Sequence, residues 1–141
     1  MVKIAAAGKS GYLGTNSPEA TAKERPQAKV TFDYDFYISE HEVTQEEYQS
    51  LMDKTVRDAN PWNVGSSLPA INVTLYDAFL YANARSVREG MDTAYSYTGL
   101  QFDSAGNCIH MESLVFHPEV EAYRLPTEAE WIFVASNGWN V

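Results

Sequence analysis

Ala122-Tyr123-Arg124-Leu125-Pro126-Thr127-Glu128-Ala129-Glu130-Trp131 lies near the end of a chain of 141 residues. Its physics can be read directly. Pro126 disfavours the α region for Leu125, so the chain arrives extended. Thr127 is a strong N-cap, and Glu130 three residues on completes a Thr-x-x-Glu capping box. Glu128 and Glu130 put negative charge in the first helical turn, where the helix dipole favours it. The spacing predicts an extended arm, a sharp corner, then a helix through Trp131, Ile132, Phe133, Val134 and Ala135.

The same cap opens two further helices expected upstream, at Thr44 with Glu47 and at Thr74 with Asp77. After Thr44, the apolar residues Tyr48, Leu51 and Met52 stand at i, i+3 and i+4, one face of a helix expected to end near Lys54 or Arg57. Asn60-Pro61-Trp62-Asn63 and Gly65-Ser66-Ser67 then supply turn chemistry. After Thr74, residues Ala78, Tyr81, Ala82 and Arg85 continue a second helix towards Gly90, a C′ glycine.

Strands frame these helices. Residues 1–29 read as a short strand, a turn and a loop. Val30, Phe32, Tyr34, Phe36 and Ile38 alternate, which predicts one strand with a buried face and with Asp33 and Asp35 towards water. Tyr95-Ser96-Tyr97 and Leu100-Gln101-Phe102 alternate too, Asp103-Ser104-Ala105-Gly106-Asn107 makes a hairpin turn, and Cys108 to Phe116 returns as a strand that Pro118 ends. Strand, helix, helix, hairpin, helix is an α+β order without βαβ alternation.

Four of these blocks, in this order, carry a family resemblance. They are Gly11-Tyr12-Leu13-Gly14 followed by Glu24-Arg25-Pro26; Glu42-Val43-Thr44 followed by Glu47-Tyr48; Pro69-Ala70-Ile71-Asn72-Val73-Thr74 with Asp77-Ala78 and Tyr81-Ala82; and Tyr123-Arg124-Leu125-Pro126-Thr127-Glu128-Ala129-Glu130-Trp131. The chain resembles the formylglycine-generating enzyme, or sulfatase-modifying factor, family. The Tyr-Ser-Tyr and Asp-x-x-Gly-Asn stretch is similar to a paralogous branch of Fibrobacter-type bacteria. The resemblance implies a C-type-lectin-like α+β fold with long irregular loops, of which residues 1–141 would be the N-terminal part. It marks Glu42, Thr44, Tyr48, Thr74, Asp77, Arg124, Pro126, Thr127, Glu128, Glu130 and Trp131 as the structural signature. The family's enzymes oxidise a substrate cysteine to formylglycine with oxygen and copper, and carry structural calcium.

The copper-holding cysteine pair of those enzymes lies downstream of the Arg-Leu-Pro-Thr-Glu-Ala-Glu-Trp block, and no position of this chain matches it. The expectation is therefore no cofactor within this chain, with copper and calcium depending on ligands from a further C-terminal part. Two departures point the same way. Ala84 stands near where many members have Trp, and the segment between Gly90 and Tyr123 is longer than in the enzymes. A catalytically inactive structural or ligand-binding module of a larger protein is expected, with part of a formylglycine-generating enzyme as the alternative.

Bulk properties agree with a folded domain. Hydrophobic residues make up 45% and aromatic residues 13%, enough for a ring-rich core. The net charge of -9, with only ten Lys and Arg, argues against nucleic acid as a partner; an unidentified protein or carbohydrate is expected instead. No apolar run reaches membrane-spanning length, and the N-terminal apolar run is too short for a signal-peptide core. The chain as given is expected to be soluble, with a secreted or cell-surface setting open if the full protein carries a signal.

Other motifs are weak. Gly8-Lys9-Ser10 imitates the end of a phosphate loop, but Lys3 occupies the place of its first glycine. His41-Glu42 opens a zinc-protease pattern that Gln45 breaks. Asn72-Val73-Thr74 is a formal glycosylation sequon, with Thr74 already needed as a cap. Cys108 is the sole thiol, and on a regular strand it would share a face with His110. Arg124 is expected within reach of Glu128, Glu130 or Glu42, where its guanidinium can bridge carboxylates and carbonyls. Trp62, Tyr95, Tyr97 and Trp139 lie in or beside loops, where rings either stack on sugars and peptides or fill the core.

Overall fold

The computed structural model describes residues 1–54 and 60–139. Its strands are β1 (Val2–Ile4), β2 (Ser10–Leu13), β3 (Ala28–Thr31), β4 (Phe36–Ile38), β5 (Tyr95–Ser96), β6 (Gly99–Phe102), β7 (Cys108–Glu112) and β8 (Val115–Phe116). Its helices are α1 (Gln45–Met52), α2 (Leu75–Arg88) and α3 (Glu128–Ala135). The chain divides into two units, Met1–Glu40 with Pro126–Val141, and His41–Leu125.

In the first unit β1 runs antiparallel to β4, and β2 antiparallel to β3. The single strand expected over 30–38 is thus two strands in different ladders. The break is tertiary in origin. Gly8 N–H donates to the Phe32 carbonyl at 2.8 Å, Phe32 N–H to Lys9 at 3.0 Å, and the Asp35 carboxylate accepts Ala7 N–H at 3.1 Å. Asp35 is exposed, as expected, and there it also pairs with Lys3 at 3.3 Å. The apolar alternation still marks the core: Phe32 and Phe36 are buried with Ala6 and Phe133. Residues 1–29 hold two strands where one was expected, and Gly11-Tyr12-Leu13 belongs to β2 rather than to a turn. Gly11 has a steric reason: a Cβ there would lie 2.1 Å from the Trp139 indole.

Helix α3 begins as its sequence requires. Thr127 Oγ1 accepts Glu130 N–H at 3.2 Å, and the Glu130 carboxylate accepts Thr127 N–H at 2.8 Å. Glu130 is buried, and its other oxygen accepts the Tyr34 hydroxyl at 3.0 Å. The cap therefore also fastens the bend between β3 and β4.

In the second unit α1 and α2 carry the same box at Thr44 and Thr74. Helix α1 stops at Met52, where Asp53 takes a left-handed conformation (φ +48°); of the two expected ends, Arg57 lies outside the described residues. Helix α2 ends at Arg88, with Gly90 at φ +75° as the sequence suggested. The two helices share a core built on the stacked rings of Tyr48 and Tyr81, 5.7 Å apart. A second cluster gathers Ala82, Ala94 and Tyr95.

The hairpin keeps its expected turn, but both of its arms are broken. β5 pairs with β8 and β6 with β7, the arms being interrupted at Tyr97-Thr98 and at Ser113-Leu114, where Ser113 has φ +50°. A bulge between the Phe102↔Cys108 and Gln101↔His110 pairs adds one residue, Ile109. Cys108 is consequently buried while His110 is exposed, so the expected shared face does not form.

Candidate functional site

The loop from Asn60 to Pro69 is built against the first turn of α1. A helix start leaves backbone N–H groups without intrahelical partners. Here the loop supplies acceptors: Gln45 N–H donates to Leu68 O at 2.8 Å and Glu46 N–H to Ser66 O at 3.2 Å. The Gln45 side chain, 1% exposed, completes the junction. Its Nε2 donates to Asn63 O at 2.8 Å and Pro69 O at 3.1 Å, and its Oε1 accepts Gly65 N–H at 3.0 Å. One amide thus ties three points of the loop to the helix.

On this fixed loop stands Trp62, 87% exposed. It belongs to a short 3-10 turn over Pro61–Asn63, begun by Asn60 Oδ1, which accepts Trp62 N–H at 3.1 Å. Val64 and Leu68 are exposed on the same loop. Between loop and helix runs an open groove lined by Gln45, Glu46, Gln49, Ser50, Val64, Gly65 and Ser66. Trp62 is not itself in the groove's lining, but the loop that holds its indole in water also supplies Val64, Gly65 and Ser66 to the groove, an arrangement that suits a recognition surface.

Behind the loop, Asp77 joins three elements of the second unit. Fully buried, it accepts Cys108 N–H at 3.0 Å and Thr74 N–H at 3.3 Å and pairs with Lys54 at 3.2 Å. Lys54 also reaches Asn107 Oδ1, which carries the tie into the hairpin turn. Thr74 Oγ1 donates to Cys108 O at 2.6 Å while accepting Asp77 N–H, which keeps its hydroxyl fully used. Close by, burial chiefly and the Asp77 charge secondarily push the Tyr48 hydroxyl up to about 12. The Glu47 carboxyl is held below the usual range, first by the Thr44 N–H it accepts.

The remaining sequence candidates fall into place around these features. Glu42 is exposed, and its carbonyl meets His41 Nδ1 at 2.8 Å. Cys108 points its thiol at the His110 carbonyl, 3.5 Å away. Arg124 is half-buried and donates to Leu125 O at 3.1 Å. Its neighbours anchor the arm: Tyr123 N–H donates to Ser86 Oγ at 2.8 Å and Leu125 N–H to the Tyr95 hydroxyl at 3.1 Å. Arg85 lies over the Tyr123 ring, 4.4 Å from its centroid. In the first unit Trp131 and Glu128 are exposed on α3, with Pro126 and Thr127 also at the surface. Of the four rings flagged in loops, Tyr95 is core, Tyr97 and Trp139 are half-buried, and Trp62 alone is open. Among the described residues no three His, Cys, Asp or Glu side chains gather as metal ligands, and no helix is long and apolar enough to cross a membrane.

Gln45 is the residue sequence reasoning missed. In the sequence it only breaks a zinc pattern, and a glutamine at a first helical position looks like any solvated one.

With this geometry in view, comparison with known proteins is decisive for the scaffold. The family model of the sulfatase-modifying factor enzyme 1-like domain matches residues 4–140. The chain belongs to this family. A curated relative, described as the chaperone protein LppX of Paenibacillus barcinonensis, is 35% identical over 108 residues, covering 74% of this chain and 37% of its own length. Among solved structures, Treponema denticola variable protein 1 matches with a TM-score of 0.69 and 22% identity over 96% of this chain and 52% of that one. The structure titled CarF matches with a TM-score of 0.60 and 23% identity over 97% and 56%. At such identities the likeness shows the fold, the C-type-lectin-like α+β form of the sulfatase-modifying factor family. The chain spans about half the length of those solved structures.

Proposed function

We propose that this chain is a structural and ligand-binding module of a larger sulfatase-modifying-factor-like protein, inactive as an oxidase by itself. The observation that carries this reading is the exposed Trp62 on a loop pinned by the buried Gln45. Ordering a loop costs conformational entropy, and three hydrogen bonds from one buried amide offset that cost while leaving the indole available to a partner. The sole cysteine supports the second half of the reading. Cys108 is fully buried behind Asp77, with its N–H and carbonyl both committed to the fold. A thiol so placed is inert towards substrates.

The test has two arms. The chain and its Trp62→Ala variant are immobilised and screened against peptide and glycan arrays. Binding weakened by the substitution supports the reading, and identical profiles overturn it. Separately, the chain is incubated with a sulfatase-motif peptide, copper and oxygen, and the peptide is weighed by mass spectrometry. Formylglycine product would establish instead the alternative, part of a formylglycine-generating enzyme, which family membership favours.

A further inference from the structure

We infer that the groove between α1 and the Asn60–Pro69 loop takes an extended, positively charged polypeptide segment, with Trp62 as its aromatic anchor. This rests on the binding-module reading and names the ligand class of that site. The first support is the accounting of polar groups along the groove. Gln45 spends its amide on the loop, and Ser50 Oγ donates to Glu47 O at 2.8 Å. Among the described residues, the Glu46 carboxylate, the Gln49 amide and the Ser66 hydroxyl form no such bond, and all three line the groove. A side-chain amide and a hydroxyl beside a trough suit the alternating N–H and C=O groups of an extended backbone.

Charge supplies the second support. Among the described residues Glu46 is the one ionisable group that lines the groove, and the chain carries a net charge of -9. Such a field draws cationic partners and repels acidic ones. An exposed indole adds a second preference in the same direction, because its face attracts Lys and Arg. Val64 and Leu68, exposed on the same loop, offer apolar area for the stems of those side chains. The 35%-identical relative is described as a chaperone, which agrees with a polypeptide ligand.

The test uses labelled 12-residue peptides of matched apolar content and net charge +4, 0 and −4, followed by fluorescence anisotropy against the whole chain. A general attraction to an acidic protein is separated from the groove by comparing Glu46→Gln with Asp92→Asn, which removes the same charge from an exposed position elsewhere. The +4 peptide is expected to bind tightest and to weaken as salt rises. Trp62→Ala and Glu46→Gln should each lower its affinity at least fivefold, while Asp92→Asn changes it less than twofold and all melting temperatures stay within a degree or so of the parent. Equal binding of the three peptides, or equal losses from Glu46→Gln and Asp92→Asn, would overturn the proposal. A neutral-glycan array bound in a Trp62-dependent way would overturn the peptide class and keep the recognition surface. Absence of any Trp62-dependent ligand would remove both.

Discussion

Gln45 Nε2 donates to the Asn63 carbonyl at 2.8 Å, joining the first residue of α1 to a loop eighteen residues further along the chain. The same amide reaches Pro69 O and Gly65 N, so one buried side chain holds the loop at three points. Truncation in Gln45→Ala removes the partner of two carbonyls and an N–H at a part-buried junction, at about 1–3 kcal/mol for each group that stays shielded from water. Local relaxation lets water recover part of this, and a net loss of about 3 kcal/mol is expected. Hydrogen exchange at the Gly65 amide should accelerate sharply in the variant while exchange in the middle of α2 follows only the global loss. Equal protection of Gly65 in both proteins would show that the loop is held by other means.

Asp77 is the corresponding tie between α2, β7 and Lys54, just beyond the end of α1. Its carboxylate closes the Thr74 capping box, receives Cys108 N–H and balances Lys54. Asp77→Asn keeps the volume but removes the charge facing Lys54 and places an amide N–H where a donor already points. Breaking one partner of a buried ion pair costs roughly 3–5 kcal/mol. Lys54 is partly exposed, which brings the expected loss to the low end, about 3 kcal/mol. Urea denaturation measures it. The Lys54→Met, Asp77→Asn double variant should recover part of the loss, since the stranded cation is gone.

Tyr48 presents the opposite case. Its ring is buried against Tyr81, yet its hydroxyl has no hydrogen-bond partner among the described residues. Removing an unsatisfied buried hydroxyl costs nothing in bonds, so Tyr48→Phe is expected to raise stability by about 1 kcal/mol. The pH dependence has a definite sign. Burial lifts this hydroxyl from 10.0 to about 12 in the folded chain. The folded state therefore holds the proton more firmly, and stability present below pH 10 falls as pH rises towards 12. Tyr48→Phe should flatten that alkaline decline. A variant clearly less stable at pH 7 would mean that the hydroxyl is bonded after all.

These sites differ in how far the sequence announces them. Each helix start was legible because a capping box is complete within four residues: Thr44 to Glu47, Thr74 to Asp77, Thr127 to Glu130. Family membership was legible largely for the same reason, three of its four blocks being built around those corners. The strands were not, because what breaks them is distant. Asp35 bends the chain by accepting Ala7 N–H from 28 residues away, and the Ile109 bulge depends on the register between β6 and β7. The exposure of Trp62 could not be separated from core packing by composition, and the role of Gln45 depends on a loop whose path no local pattern sets.

Glu47 converts its cap into a dependence on acid. Its carboxylate accepts Thr44 N–H at 2.9 Å and the Thr44 hydroxyl at 3.2 Å, and the first of these is the larger cause of its lowered affinity for protons. Asp35 is lowered as well, first by Ala7 N–H and then by Lys3, and Asp103 first by the Asn107 side chain. A carboxylate depressed in the folded state binds its proton sooner in the unfolded one. The associated stability is present above the ordinary value of 4.5 for Glu and is lost as pH falls through the lowered folded value. Thermal melts between pH 6 and 3 should therefore show a steady decline beginning near 4.5. Glu47→Gln keeps a carbonyl acceptor for Thr44 N–H without the charge, so it should melt lower than the parent at pH 7 and decline less steeply below 4.5. If the two slopes are the same, the Glu47 carboxylate is not what couples the first turn of α1 to acid.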